Sequence, residues 1–333
     1  MVNHEEICRV AEAVRQAESI ALCSHVNPDG DTVGTGAAVR LGLMSLGKRV
    51  AWFCQDAVPD DMHILAGWES CRAADTLAPE ERFDLLLCVD ISDDYRMGTA
   101  QELLHRCSHS AQLDHHATNP RAWTEVSAVD GDASACAVVA YALLKELGVS
   151  ITKEIAVCLY AGISTDTGNF SYSLQPETFA VMAELMSGPL TPSEVQQLHR
   201  HLFDQRAIPV VRLLERALSS LTFTADGTVT TMRLTREDFA ACGADQQHAN
   251  IIVNYGLDIL GVKATVLARD TLGGEKENGI KLSFRSVRPY DIAQVARSFG
   301  GGGHEQAAGA TVIGRSMEEL LAAAQQALID VTR

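Results

Sequence analysis

A two-domain α/β fold is expected for this 333-residue sequence on three observations. Short apolar runs alternate with helix-like segments through the first half. Several of those runs end abruptly on Asp or His. Past Leu221 the alternation resumes on a smaller scale. Continuous apolar strands separated by helices mark a parallel sheet covered on both faces. In such sheets ligands bind just beyond the carboxyl ends of the strands. At roughly 100–200 residues per domain the length holds two cores. The expected division is an N-terminal parallel-sheet domain over 1–190, a helical linker over 191–218 and a smaller C-terminal α/β domain over 219–333.

The elements follow in order. The N-terminal stretch MVNHEEICRVAEAVRQAE reads as an amphipathic helix with acids near its start. Ser19–Ser24 reads as a buried strand, followed by a Pro/Gly/Asp loop and a helix over about Val33–Leu46. Arg49–Cys54 and Asp84–Asp90 are further strands. A helix near Thr99–Arg106 precedes a short strand at Ala111–Leu113. From Asp132 to about Leu185 the pattern turns helical, and Leu190-Thr191-Pro192-Ser193-Glu194 reads as a helix start with Pro just inside it. The second domain carries expected strands at Leu221–Thr224, Thr228–Arg233, Leu257–Ala268 and Ile280–Arg285. Helices are expected near Asp238 and Asp291, with a final one from Met317.

With 43 acidic against 27 basic residues the net charge is −16. That excludes a protein that holds long duplex nucleic acid by neutralising phosphates, because such a footprint is basic. A short nucleotide in a metal-lined pocket is compatible with it. The nine cysteines are odd in number, lack C-x-x-C spacing and often sit in apolar runs, as buried thiols of a reducing compartment do. No signal-peptide pattern and no apolar run of membrane-spanning length is present, so a cytoplasmic protein without membrane contact is expected.

Four short segments carry the chemistry. The first runs from His25, at the end of an apolar strand, through Pro28 and Gly30 to Asp31, and includes Asp29. A turn there lets an imidazole and two carboxylates converge. The second is LLLCVD, a buried strand that runs into Asp90. The third is Asp114-His115-His116, and the fourth is STDTG with Asp166, at the end of an apolar helix. Each alone is explained by a polar turn or a helix cap. Four together, at the ends of elements facing one crevice, are not. His25, Asp29, Asp31, Asp90, His115 and Asp166 give four carboxylates and two imidazoles without a thiolate. That oxygen-rich set suits Mn²⁺ or Mg²⁺ better than structural zinc, and it exceeds what one ion takes from protein. A pair of divalent ions, which can clamp a phosphoryl group and activate water, fits better. The second domain adds Gly300-Gly301-Gly302-Gly303-His304 after a helical segment. It lacks the strand-to-helix context of a dinucleotide fingerprint and any Walker lysine. Its glycines let backbone N–H groups approach an anion, with His304 as a further donor.

The segments HVNPDGD, VDISD, DHH, STDTGNF, IKLSFRS and GGGGHEQAAG, in this order over nearly the whole chain, resemble the DHH family of phosphoesterases, in its nanoRNase and pAp phosphatase branch. The resemblance implies a DHH domain joined to a DHH-associated substrate-binding domain. It implies two divalent ions, Mn²⁺ first, with Mg²⁺ or Co²⁺ as alternatives. His25 and Asp29 would bind one ion, Asp31, His115 and Asp166 the other, and Asp90 would bridge them. Asp114 would orient His115, and His116 would contact the scissile phosphate. Arg285, Gly301, Gly302, Gly303 and His304 would grip a terminal nucleotide, with Asn169 a further substrate contact. The implied activity is hydrolysis of very short oligoribonucleotides to 5′-mononucleotides, with dephosphorylation of 3′-phosphoadenosine 5′-phosphate as a second reaction. Linear or cyclic dinucleotide second messengers (pApA, pGpG, c-di-AMP) are the alternative substrates. The reading leaves room for a homodimer.

Overall fold

The computed structural model describes residues 3–172, 174–273 and 278–333, and it divides into two compact units, Met1–Gln205 and Arg206–Arg333. In the first unit the order is α1 (His4–Gln16), β1 (Ser19–Cys23), α2 (Gly30–Ser45), β2 (Arg49–Phe53), β3 (Cys71–Arg72), β4 (Phe83–Val89), β5 (Cys107–Asp114), β6 (Val126–Val129), α3 (Cys136–Glu146), α4 (Lys153–Asp166), α5 (Pro176–Ser187) and α6 (Pro192–His199). The six strands form one wholly parallel sheet in the order β3-β2-β1-β4-β5-β6. The chain moves outward from β1 in one direction through β2 and β3. It then returns to start the other half at β4, which leaves a crevice between the carboxyl ends of β1 and β4.

Alternation along the strands sends side chains to two cores. Ile20, Leu22, Leu85 and Leu87 face the layer built by α1 to α4. Ala21, Cys23, Leu86 and Cys88 face the other side, where Phe53, Met97 and Leu103 complete a smaller core. Both faces are dry, which is why these strands read as unbroken apolar runs. Thr191 and Glu194 form a reciprocal capping box at the start of α6, with Pro192 just inside, as the sequence indicates.

In the second unit the order is α7 (Ile208–Ser219), β7 (Thr222–Phe223), β8 (Val229–Leu234), α8 (Arg236–Cys242), α9 (Ile252–Leu257), β9 (Ala264–Asp270), β10 (Ile280–Ser286), α10 (Ala293–Ser298), β11 (Gly302–His304), β12 (Ala307–Val312) and α11 (Met317–Thr332). The strand order is β11-β12-β10-β9-β8-β7, with β8 and β9 parallel and the other pairs antiparallel. One face packs Val266, Leu282 and Phe284 against α10 and α11. The other packs Met232, Leu234 and Leu267 against Leu213 of α7, Phe239 of α8 and Ile252 of α9.

Several elements differ from expectation. The helix expected from Val33 begins at Gly30, so Asp31 lies in its first turn. Thr99–Arg106 belongs to a 3₁₀ stretch over Asp94–His105, broken at Gly98 with φ 56°. The short strand at Ala111–Leu113 extends over Cys107–Asp114. Leu257–Ala268 is not one strand: α9 ends at Leu257, a turn with Gly261 at φ 89° follows, and the strand starts at Ala264. The glycine run, where no strand is expected, supplies the edge strand β11. Pairing with β12 overrides the low strand propensity of glycine there.

Candidate functional site

Strands β1, β4 and β5 are neighbours, and the polar residues that follow them meet at one end of the sheet. His25 lies two residues beyond β1, Asp90 directly beyond β4, and His115 directly beyond β5. Asp31 comes from the first turn of α2, and Asp166 is the last residue of α4. Nε2 of His25 is 3.3 Å from Oδ2 of Asp90 and 3.6 Å from Oδ1 of Asp29. Nε2 of His115 is 3.5 Å from Oδ1 of Asp90, 3.5 Å from Asp166 and 3.8 Å from Asp31. The two oxygens of Asp90 therefore face two different groups: His25 with Asp29, and His115 with Asp31 and Asp166. Within each trio, His25–Asp29–Asp90 and Asp31–His115–Asp166, the candidate ligand atoms lie within 4.8 Å of one another.

The surroundings fix these side chains. Nδ1 of His25 meets the Val26 carbonyl at 2.8 Å, and Nδ1 of His115 meets the Ala133 carbonyl at 3.2 Å. A carbonyl only accepts, so each ring carries a proton on Nδ1 and turns Nε2 toward the carboxylates. Asp31 is held by the start of α3, accepting from Cys136 N at 2.6 Å and Ala137 N at 3.0 Å. A Cβ on Gly162 would meet its Oδ1 at 2.8 Å, so only glycine lets α4 pass so close. Asp29 caps α2 through the N–H groups of Asp31 and Thr32. The capping role and the place in the cluster are thus compatible. Asp90 itself is left-handed, at φ 59°, a conformation that costs energy for any residue with a Cβ.

The electrostatics are those of a site crowded with negative charge. Burial opposes a charge on His25, but the carboxylates of Asp29 and Asp90, 3.6 and 3.3 Å from its Nε2, outweigh it and push its pKa up to about 10. Burial likewise opposes His115, and Asp31, Asp90 and Asp166 push it up to about 9. Burial also lifts Asp31, assisted by the Asp90 charge, and lifts Asp166 to about 6. Desolvation opposes the charge on Asp29, but the His25 imidazole at 3.6 Å outweighs it, and Asp29 falls to about 2. Nε2 of His25 and Oδ1 of Asp90 are buried without a hydrogen-bond partner among the described residues. A buried polar atom left in this way is costly. Donors of this kind, oxygen-rich with two imidazole nitrogens, fit divalent cations.

One expected contact is different. Asp114 does not orient His115; its Oδ1 lies 2.7 Å from Nδ1 of His116. Residues i and i+2 leaving a strand share a side, whereas i+1 turns away, so Asp114 reaches His116 and His115 takes a backbone carbonyl. The second oxygen of Asp114 accepts from Nδ2 of Asn119 at 2.6 Å. Asn119 thus completes an Asn–Asp–His chain that the sequence reading missed. Its only signal is a position five residues beyond Asp114. Burial opposes the charge on Asp114, but the His116 hydrogen bond holds its carboxyl below the usual range. Exposure rises from Asp90 at 3% through His116 at 25% and Asp166 at 32% to Asp29 at 59%, so the cluster opens along the side of Asp29, Asp166 and His116. Asn169 is left-handed and its amide engages Nε2 of His199 at 2.9 Å.

The remaining sequence-derived residues lie in the second unit. Arg285 on β10 and His304 on β11 both stand opposite Ala307 of β12, so they flank it on one face of the sheet. A Cβ on Gly301 would meet the Gly309 carbonyl oxygen at 2.1 Å, and one on Gly303 would meet Ala308 at 2.5 Å. Gly302 is different: it is exposed, and nothing among the described residues lies within 4 Å of its Cβ position.

Residues 19–163 match the family described as DHH family, N-terminal domain, and residues 229–330 match the DHHA1 domain. The chain is 30% identical over 320 residues to the bifunctional oligoribonuclease and PAP phosphatase NrnA of Thermus thermophilus, covering 95% of this chain and 91% of that protein. It is 28% identical over 224 residues to the protein of the same name from Bacillus subtilis, covering 66% of each. Among solved structures, an exopolyphosphatase-related protein from Bacteroides fragilis superposes with a TM-score of 0.89 at 25% identity, over 99% of this chain and 97% of that one. With both domain types in order and a full-length relative at this identity, the chain belongs to the DHH family of phosphoesterases.

Proposed function

We propose that the protein is a phosphodiesterase dependent on two divalent ions, Mn²⁺ foremost, that hydrolyses oligoribonucleotides a few nucleotides long to 5′-mononucleotides. Dephosphorylation of 3′-phosphoadenosine 5′-phosphate is a second activity of the same site. The observation that carries the reading is Asp90: buried, left-handed, with one oxygen facing His25 and the other, unpartnered, facing His115. A carboxylate so placed serves two cation sites at once. His25 and Asp29 would hold one ion, Asp31, His115 and Asp166 the other, with Asp90 shared. Bound there, two divalent ions supply Lewis-acid stabilisation of a phosphoryl group and activate water for in-line attack.

The other residues divide the remaining work. Asp114 and Asn119 fix His116 through Nδ1, which leaves Nε2 as its atom for the scissile phosphate and for delivering a proton to the leaving oxygen. Arg285, His304 and the backbone around Gly302 grip a terminal nucleotide, and Gly302 fits this role because no packing among the described residues requires it to be glycine. The names of the Thermus and Bacillus relatives agree with both activities.

The test is chromatography of products over time, with purified protein, Mn²⁺ and the 5′-phosphorylated dinucleotide pApA, against a chelator control. Rapid release of AMP that the chelator abolishes is the expected outcome. No AMP from a folded, metal-loaded protein would overturn the proposal.

A further inference from the structure

The face of the second sheet that carries Arg285 and His304 continues along β10 to Ser283 and Lys281. Alternation puts all three β10 residues on one side of the sheet. At the far end, Lys281 stands opposite Arg269 of β9 on one flank and Thr311 of β12 on the other. These three line a cleft of about 300 Å³, with Gln246 and Asn250 on its wall.

Arg269 is the unusual member. It is 1% exposed, and its hydrogen-bond partners among the described residues are neutral: the Gln246 carbonyl at 3.0 Å and Oδ1 of Asn250 at 2.8 Å. Its Nε has no hydrogen-bond partner among the described residues. Burial lowers its pKa to about 10, and burial together with the charges of Arg269 and Arg285 lowers that of Lys281. A buried guanidinium facing another cation is costly unless an anion joins them. Guanidinium and ammonium together are the donors that phosphate oxygens select.

Lys281 and Arg285 are four residues apart on one strand, or about 13 Å, too far for one phosphate to touch both. Between them the face is floored by Ser283, Gly309 and Gly302, which stand opposite one another across β10, β12 and β11. These side chains are small or absent, so the floor has room for a sugar and base. We infer that Arg269, Lys281 and Thr311 form a second phosphate subsite, which takes a phosphodiester of the same oligoribonucleotide beyond the nucleotide gripped by Arg285 and His304. The inference rests on the oligonucleotide reading and deepens it, since the subsite rewards strands longer than the terminal nucleotide.

Binding measured in chelator, where no turnover occurs, tests it with 5′-phosphorylated oligoadenylates from two to five nucleotides long. Lys281→Gln should weaken the longest strand about fivefold more than the dinucleotide. It should also reduce the slope of log affinity against log salt for the longest strand by about 0.7. Thr311→Asp, at a partly exposed position, should reproduce the length-dependent loss in a protein that melts like the wild type. Equal weakening at every length, or none, overturns the subsite. So does a site for free anion only, seen as inorganic phosphate stabilising the wild type but not Lys281→Gln, with no length effect. Turnover of pApA by the wild type is scored separately. Turnover without the length effect sinks the subsite alone, and the length effect without turnover sinks the phosphodiesterase reading alone.

Discussion

At Asp90 the protein tolerates three costs together: a left-handed backbone, a buried carboxylate and an oxygen without a hydrogen bond among the described residues. Function explains them if both oxygens are ligands. Asp90→Asn should cut kcat by ~10³ or more, because the change damages both cation sites. A variant that is folded, metal-loaded and fully active would contradict the bridging role. The titration of the cluster gives a second expectation. His25, His115 and Asp166 all have raised pKa values, near 10, 9 and 6. Each therefore binds more protons folded than unfolded over its range, and stability falls as pH rises. The carboxyl contribution is complete below about 4 and the histidine contributions below about 6.5. They are lost as pH rises through about 6, 9 and 10 respectively. Asp29, near 2, acts only at acid pH. Metal-free protein should thus lose stability from neutral toward alkaline pH. Mn²⁺ binding near pH 7 should expel about two protons per chain, one from each imidazole, detectable with a weakly buffered indicator. Metal uptake with no proton release would mean that the two rings are not ligands.

The elements show why some of this was legible in the sequence and some was not. LLLCVD announces the buried part of β4 and the Asp90 that follows it, because from Leu85 to Val89 the strand is dry on both faces and meets no polar residue until it leaves the sheet. The same holds for β1 and His25. Asn119 and the Asp114–His116 bond were not legible, because they depend on which way the chain turns after β5, and composition carries no record of that. The glycine run was legible as chemistry but not as β11, whose pairing comes from β12 and not from glycine's own preference. That element separates two kinds of glycine. Gly301→Ala drives a Cβ into the Gly309 carbonyl and should destabilise the second unit by roughly 1–3 kcal/mol. Gly302→Ala meets nothing among the described residues. Its thermal unfolding should match the wild type, while KM for oligonucleotide rises more than KM for a small artificial phosphodiester. Equal changes in the two KM values would remove Gly302 from the nucleotide grip.

For the whole molecule, the sequence foresaw two α/β units with a parallel sheet first, and the division between them falls at Gln205 and Arg206. The two units stand in different relations to their ligands. The first gathers its candidate cation ligands from β1, α2, β4, β5 and α4, elements far apart in sequence, so metal binding ties together most of one sheet and its helices. The second contributes no residue to either ligand trio. Metal should therefore stabilise the units unequally. A ligand at 100 times its Kd adds about 2.7 kcal/mol to the state that binds it. Hydrogen exchange with and without Mn²⁺ reads where that stabilisation falls. Protection should rise at the carboxyl ends of β1, β4 and β5 and at the start of α2, with amides of β8 to β12 little changed. Adding nucleotide in chelator should give the converse pattern, with protection at β10, β11 and β12. If Mn²⁺ instead protected the glycine strand as strongly as β4, the assignment of cation binding to the first unit and nucleotide binding to the second would fail. A substrate-length effect could then no longer be ascribed to the sheet face of Arg285 and Lys281 alone.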